Sequence, residues 1–235
     1  MVDKRKVKET YDKEANIYDI SYRATFEKGR FATRERGLLR GNIPDESRIL
    51  VAACGTGRHL TYLHNEFGCE CIGVDLSTEM LKVARLKERR TELVCADVEN
   101  LPFRPEVFDA VFCSRALYLF ENKLAFLKGA YSSLKRKGKL MVSTMSKGPL
   151  IIRLSIIVGL LSPDPAQYPY DSKDLECMLS TIGLDGVHTR CVVLLVDGPD
   201  GILGSLPKSV LDLIRFLEEH LSDGRWVMGI GQKPS

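Results

Sequence analysis

Three short segments of this sequence carry residue types that could do chemistry together. The first is Ala53-Cys54-Gly55-Thr56-Gly57-Arg58, a glycine turn that follows the apolar run RILVAA (48–53). Glycine permits a sharp turn and lets a ligand approach the backbone. A helix that starts after such a turn presents free N–H groups at its N-terminus. The second is Asp75, ending the segment IGVD, 18 residues after Gly57. That is close to the spacing at which an acidic residue meets a ribose, and a carboxylate accepts hydrogen bonds from both ribose hydroxyls. The third is Asp97, in CADVENLPF. Its carboxylate can accept from an adenine amino group while Val98 offers a backbone N–H to a ring nitrogen. Either aspartate alone also reads as a helix cap or turn former. Together, at successive strand ends, they point to an adenosine-containing ligand.

The elements that must position these residues are legible in the hydrophobic pattern. Strands are expected at 48–53, 69–76, 91–98, 107–117 and 139–145. The fourth is apolar on both faces, as a central parallel strand should be. Helices are expected at 59–67, at 77–90 with Ser77 or Thr78 as N-cap, and at 124–138 closed by Gly138. Strand and helix alternating in units of about thirty residues or fewer imply parallel βαβ crossovers. The fold class is therefore α/β, a doubly wound, mostly parallel sheet. Two further strands are expected at 190–196 and 225–232, bringing the sheet to seven. The organisation expected is one domain over 1–235. It comprises an N-terminal helical cap (1–44), a ligand-binding core (45–145), a helical insertion or lid (146–186), and C-terminal strands with a helix (187–235). The insertion holds PLIIRLSIIVGLL (149–161) and a helix in DSKDLECMLSTIG. The tail holds an amphipathic helix over 207–221, with Val210, Leu211, Ile214, Leu217 and Leu221 at helical spacing.

Bulk properties exclude several classes. A net charge of +3 gives no strong nucleic-acid signal. The start, MVDKRKVKETYDKEAN, lacks the apolar core of a signal peptide, and 149–161 is too short to span a bilayer and contains Arg153. A cytoplasmic location is expected. The seven cysteines form no CxxC pair, so no metal site is expected. Cys54, Cys95, Cys113 and Cys191 lie in or beside apolar runs and read as reduced, buried thiols.

Two adenosine-containing ligands compete, NAD and S-adenosyl-L-methionine (SAM). A dinucleotide loop places a third small residue where this chain has Leu60. The loop therefore suits a ligand without a pyrophosphate. ILVAACGTGRHL, GVDLSTEML, ADVENLPF, FDAVFCSRALYLF and LKRKGKLMVS, in that order, resemble the class I SAM-dependent methyltransferases. The pattern is most similar to the small-molecule group that includes quinone-biosynthesis C-methyltransferases and phospholipid N-methyltransferases. The resemblance covers residues 45–145 and implies SAM as cofactor, with S-adenosyl-L-homocysteine as product. By it, Ala53, Cys54, Gly55, Thr56, Gly57, Asp75, Leu76, Met80, Asp97, Val98 and Ser114 are the cofactor-binding set. YDKEANIYD resembles the N-terminal helix of that group, so Tyr11 and Tyr18 would cover the cofactor or line the acceptor pocket; core aromatics are the competing reading. The sequence departs from the family at Val51, usually acidic, at Ala53, usually glycine, and at Lys137-Gly138, usually a glycine pair.

Methyl transfer from a sulfonium is an in-line displacement. It asks the protein mainly for alignment and water exclusion. Arg115 is a candidate to pair with the cofactor carboxylate or an anionic acceptor. Tyr118 and His188 are candidate acid/base or orienting groups, with an exposed strand-edge histidine the competing reading for His188. The dense apolar run 149–161 suggests a pocket wall, a lid or a peripheral membrane patch, and hence a lipophilic acceptor such as a quinone precursor or lipid. A protein or RNA methyltransferase and a non-catalytic SAM-binding scaffold are the alternatives, and the oligomeric state stays open.

Overall fold

The computed structural model of the chain describes residues 2–21, 30–145, 170–192, 209 and 226–235. Three helices come first: α1 (Lys4–Glu14), α2 (Tyr18–Ser21) and α3 (Arg30–Arg40). Then follow β1 (Arg48–Ala52), α4 (Arg58–Phe67), β2 (Glu70–Asp75), α5 (Thr78–Lys87), β3 (Glu92–Cys95) and β4 (Phe108–Cys113). The described chain continues with α6 (Lys123–Ser133), β5 (Leu134–Met145), α7 (Ser172–Thr181), β6 (Asp185–Val192) and β7 (Trp226–Gln232). The run 149–161 and the helix expected over 207–221, residue 209 apart, lie outside the described residues.

The strands form one seven-stranded sheet in the order β3-β2-β1-β4-β5-β7-β6. β1 pairs in parallel with β2 and β4, β2 with β3, and β4 with β5. β7 runs antiparallel between β5 and β6. The order reverses between β1 and β4, the switch point beside which open α/β sheets bind ligands.

Alternation along the strands divides the core between the two faces. Leu50, Ala52, Val111, Cys113 and Val142 face α6 and α7, meeting Phe126, Leu127, Leu175 and Leu179. Ile49, Val51, Ala110, Phe112 and Met141 face the other way, toward Leu39 of α3 and Leu60 and Leu63 of α4. With helices on both faces, the central strands are apolar throughout.

Several boundaries differ from the sequence expectation. α6 ends at Ser133, and residues 134–138 are the start of β5. Leu134 pairs with Phe108, and Lys135 reaches Asp109 at 2.9 Å, so the basic run is strand rather than the last helical turn. Gly138 does not cap the helix. A Cβ there would lie 2.8 Å from the Lys135 carbonyl and 3.1 Å from that of Asp109, so glycine allows close strand packing. α5 stops at Lys87, and the Arg85 guanidinium donates to the carbonyls of Arg89 and Thr91 beyond it. β3 ends at Cys95, and Val98 opens a 3-10 turn. β4 ends at Cys113, because Arg115 turns into the left-handed region at φ 54°. β6 begins at Asp185, five residues before the expected start. Cys95 is exposed, against the expectation of a buried thiol. Among the described residues no helix is long and apolar enough to cross a membrane.

Gly57 is required on two counts. Its φ is 78°, and an added Cβ would meet the Ala84 Cβ of α5 at 2.8 Å. The expected outcome for Gly57→Ala is a loss of about 1–3 kcal/mol in urea unfolding, from left-handed strain plus overpacking. A loss below about 0.5 kcal/mol, the ordinary range for a surface change, would show that α4 and α5 do not meet there.

Candidate functional site

The backbone leaves β1 through a left-handed turn: Ala53, Gly55 and Gly57 all have positive φ (51°, 55° and 78°). Ala53 does this with a Cβ, which costs on the order of 1–2 kcal/mol. The turn is pinned to β2. The Gly55 amide donates to Asp75 Oδ2 at 2.7 Å, and the Cys54 amide to the Val74 carbonyl at 3.0 Å. The Ser77 amide donates to Asp75 Oδ1 at 2.9 Å, and the Ser77 hydroxyl caps α5 through the Met80 amide. Burial pushes the Asp75 carboxyl above its ordinary value, against the pull of these amides.

Asp97 ends the next strand connection and caps a 3-10 turn (Val98–Asn100) through the Glu99 amide at 3.0 Å. Lys4 of α1 pairs with Asp97 at 2.7 Å and with Glu99 at 2.8 Å. Burial raises the Asp97 carboxyl, but Lys4 and the Glu99 amide outweigh it and hold it low.

These groups face one cavity. Ala53, Gly55, Asp75, Leu76, Met80, Asp97, Val98 and Ser114 line it, and so do Tyr11 and Tyr18 from the N-terminal helices. The two tyrosine rings lie 6.0 Å apart between centroids. Arg115 lines it too, with Lys4, Val7, Glu99, Ala116, Leu119 and Phe120. Cys54 and Thr56 line a smaller cavity beside it. Gly57 lines neither; it packs on Ala84, so its place in the set is structural.

The candidate acid/base groups fare differently. Tyr118 is half-buried in the Leu117–Leu119 turn, near enough to act on the Arg115 charge, and is absent from the walls of both cavities. His188 is not brought to the site. It sits on β6 opposite Ile230 and lines a separate cavity with Arg34, Asn42 and Met228.

Two groups escaped the sequence reading. Glu99 is buried and accepts from the Glu121 and Asn122 amides at 2.8 and 2.9 Å, tying the start of α6 to the turn after β3. Glu35 of α3 is 2% exposed and sits at the centre of a charged cluster. Its Oε2 lies 2.8 Å from His59 Nε2 and 3.9 Å from Arg58, and its Oε1 accepts from the Ser114 hydroxyl. The signal for Glu35 was its place between Ala32 and Leu39, an acid on the buried stripe of an amphipathic helix. Burial alone would raise the Glu35 carboxyl; His59, Arg115 and Arg58 reverse this and hold it at about 2. Burial lowers the His59 imidazole, with Glu35 opposing and Arg58 and Arg115 adding to it.

Comparisons with known proteins give the chain a family. A family model described as a methyltransferase domain matches residues 50–142. A malonyl-[acyl-carrier protein] O-methyltransferase from a Marinomonas species is 34% identical over 219 residues, 90% of this chain and 78% of that protein. A demethylmenaquinone methyltransferase from Corynebacterium urealyticum is 29% identical over 186 residues, 74% of this chain and 79% of that protein. Among solved structures, phosphoethanolamine N-methyltransferase 2 of Haemonchus contortus, in complex with S-adenosyl-L-methionine, superposes with a TM-score of 0.69 at 21% identity. That match covers 95% of this chain and 57% of the neighbour, so the chain spans little more than half of that protein.

The cluster predicts an acid-sensitive fold. The Glu35 carboxyl is held below its ordinary value, so its stabilisation is complete above pH 4.5 and is lost as pH falls from about 4.5 toward about 2. Over that window the native protein should lose on the order of 3 kcal/mol from this group in urea unfolding. Glu35→Gln should lack this component of the pH dependence. An identical acid profile in the two proteins would mean that Glu35 is not buried among cations.

Proposed function

The chain belongs to the class I SAM-dependent methyltransferases, and from that membership we propose that it transfers the SAM methyl group to a small, lipophilic acceptor by in-line displacement. One observation carries the cofactor placement: the Asp75 and Asp97 carboxylates, at successive strand connections, line one cavity with the glycine turn.

In this reading the two Asp75 oxygens, each already accepting one amide, keep a lone pair apiece for the ribose hydroxyls. Asp97 and the Val98 amide read the adenine edge. Leu76 and Met80 pack against the base. Ser114 and Arg115 stand beside the glycine turn, where the methionyl portion would lie. Tyr11 and Tyr18 close the cavity and exclude water, and Lys4 fastens the helix of Tyr11 to Asp97 and Glu99. Catalysis then consists of alignment in a dry site, with S-adenosyl-L-homocysteine leaving as product.

The acceptor class draws support from two sides. Val7, Leu119 and Phe120 give the cavity an apolar wall. The names of the relatives include demethylmenaquinone and malonyl-[acyl-carrier protein] methyltransferases. The whole chain, 1–235, acts as one catalytic domain in this proposal.

Calorimetry with SAM tests the placement. Asp75→Ala should weaken binding by about 1.5–3 kcal/mol, the scale of hydrogen bonds to a charged acceptor. Unchanged affinity would remove Asp75 from the site. Release of S-adenosyl-L-homocysteine on a panel of quinol, lipid and amine acceptors tests turnover, and tight SAM binding with no turnover on any of them favours a scaffold.

A further inference from the structure

His188 belongs to a second cavity, on the part of the sheet away from the cofactor rim. Successive residues of β6 alternate between faces. The Thr189 hydroxyl donates to Glu176 of α7 at 3.4 Å, so His188 and Arg190 project to the opposite face, against α3. Their partners across the strand, Ile230 and Met228 of β7, form an apolar floor with Leu38 of α3. The cavity measures about 650 Å³, within the range of roughly 300–1,000 Å³ usual for small-molecule sites. It shares no described lining residue with the cavity of Asp75 and Asp97. Gly37 faces it from α3, and a Cβ placed there would meet nothing within 4 Å.

The rim of this cavity is cationic. Arg34 and Arg190 bring guanidinium groups and His188 an imidazole, and no carboxylate stands among the described lining residues. Glu35, next to Arg34 in the chain, is turned into its own buried cluster with His59 and Ser114. Lys139 adds a charge behind the wall, donating to Asn42 Oδ1 at 3.1 Å. Among the described residues, Arg34, His188 and Arg190 have no hydrogen-bond or ion-pair partner. Two guanidinium forks and a ring N–H exceed the roughly four acceptor sites of a carboxylate. A phosphate monoester offers three acceptor oxygens and a charge of about −1.5 to −2.

We infer that this cavity binds an organic phosphate. Arg34, His188 and Arg190 hold a phosphate monoester, and its apolar body lies over Leu38, Met228 and Ile230. The site is separate from the methyl-transfer site, and the inference does not depend on which acceptor is methylated.

The experiment is calorimetry on the full chain with hexyl phosphate as probe. Hexan-1-ol, hexanoate and inorganic phosphate are the controls. Hexyl phosphate should bind at least about tenfold more tightly than each of them, the scale of one charge-assisted contact or of two buried methylenes. The double variant Arg34→Gln/Arg190→Gln changes two exposed positions and should weaken hexyl phosphate about tenfold or more. Gly37→Leu should weaken it as well, by filling the cavity. Leucine favours a helix interior over glycine, so this variant keeps the test open if the double variant fails to fold. Affinity for S-adenosyl-L-homocysteine should not change in either variant.

Absence of hexyl phosphate binding would overturn the proposal. Equal binding of hexan-1-ol would remove the charge from it, equal binding of hexanoate the phosphate, and equal binding of inorganic phosphate the apolar floor; each overturns it. An affinity that survives both variants, or displacement of hexyl phosphate by S-adenosyl-L-homocysteine, would put the ligand elsewhere and overturn it too. Failure of the chain to bind S-adenosyl-L-homocysteine while it still binds hexyl phosphate would strike the methyl-transfer reading and uphold this one.

Discussion

The hydrogen bond from the Gly55 amide to Asp75 holds the rim of this sheet together. At 2.7 Å it joins the turn after β1 to the end of β2, and the second Asp75 oxygen takes the Ser77 amide that opens α5. One carboxylate therefore sets the departure of both helices from neighbouring strands. The arrangement demands a backbone that can turn left-handed at three of five consecutive residues, 53, 55 and 57. Glycine meets that demand at two of them. Ala53 meets it under strain, which is retained where the surrounding pairing over-determines the conformation. A carboxylate satisfied by amides at a turn also has lone pairs left over, and the proposed ribose contact uses them.

Helices α1 and α2 are coupled to that rim by polar contacts rather than by a packed apolar face. None of the residues of α1 is buried. The helix is held by Lys4 on Asp97 and Glu99 and by the Ser77 hydroxyl donating to Asp12. Asp19 beyond it engages Thr56 and Lys87. Partly exposed ion pairs such as Lys4–Asp97 and Lys87–Asp19 contribute about 0–1 kcal/mol each, so these two hold the cover lightly. The sheet and its apolar layers supply the rigid base on which this cover sits.

Glu35 shows the opposite design. A fully buried carboxylate is costly to desolvate, and removing a partner from such a cluster costs far more than its surface equivalent. The cluster joins α3, the start of α4 and the turn after β4 through His59, Arg58 and Ser114. In the family the chain resembles, an acid usually stands at the position of Val51, on β1. Here Val51 packs in the apolar layer with Phe112, and the His59 ring stands edge-on to Phe112 at 4.9 Å. On this face of the sheet a buried carboxylate, Glu35, comes from α3.

The residues 45–145 declared most of this architecture before any coordinates. Apolar runs of five or six residues ending in Gly or Asp state where strands stop, because a buried strand needs apolar side chains on both faces and a turn needs special backbone. Asp75, Asp97 and the glycine turn were therefore readable as neighbours around one cavity, and Ser77 as a cap. Boundaries were less legible where one residue type serves two structures. The basic run 135–137 suits the end of a helix by its charge, yet Leu134 and Asp109 pull it into β5. His188 and Tyr118 matched a chemical role by type, and only their positions on the assembled sheet decided against a place on the cavity wall. Glu35 lies outside the motifs it supports, and Glu99, although inside CADVENLPF, takes its partners from Glu121 and Asn122 more than twenty residues on. What local sequence determines is periodicity, turns and caps, since those depend on neighbours within a few residues. Which distant charges share a buried space is decided only by tertiary packing, because the energy of a charge depends on what surrounds it rather than on what precedes it in the chain.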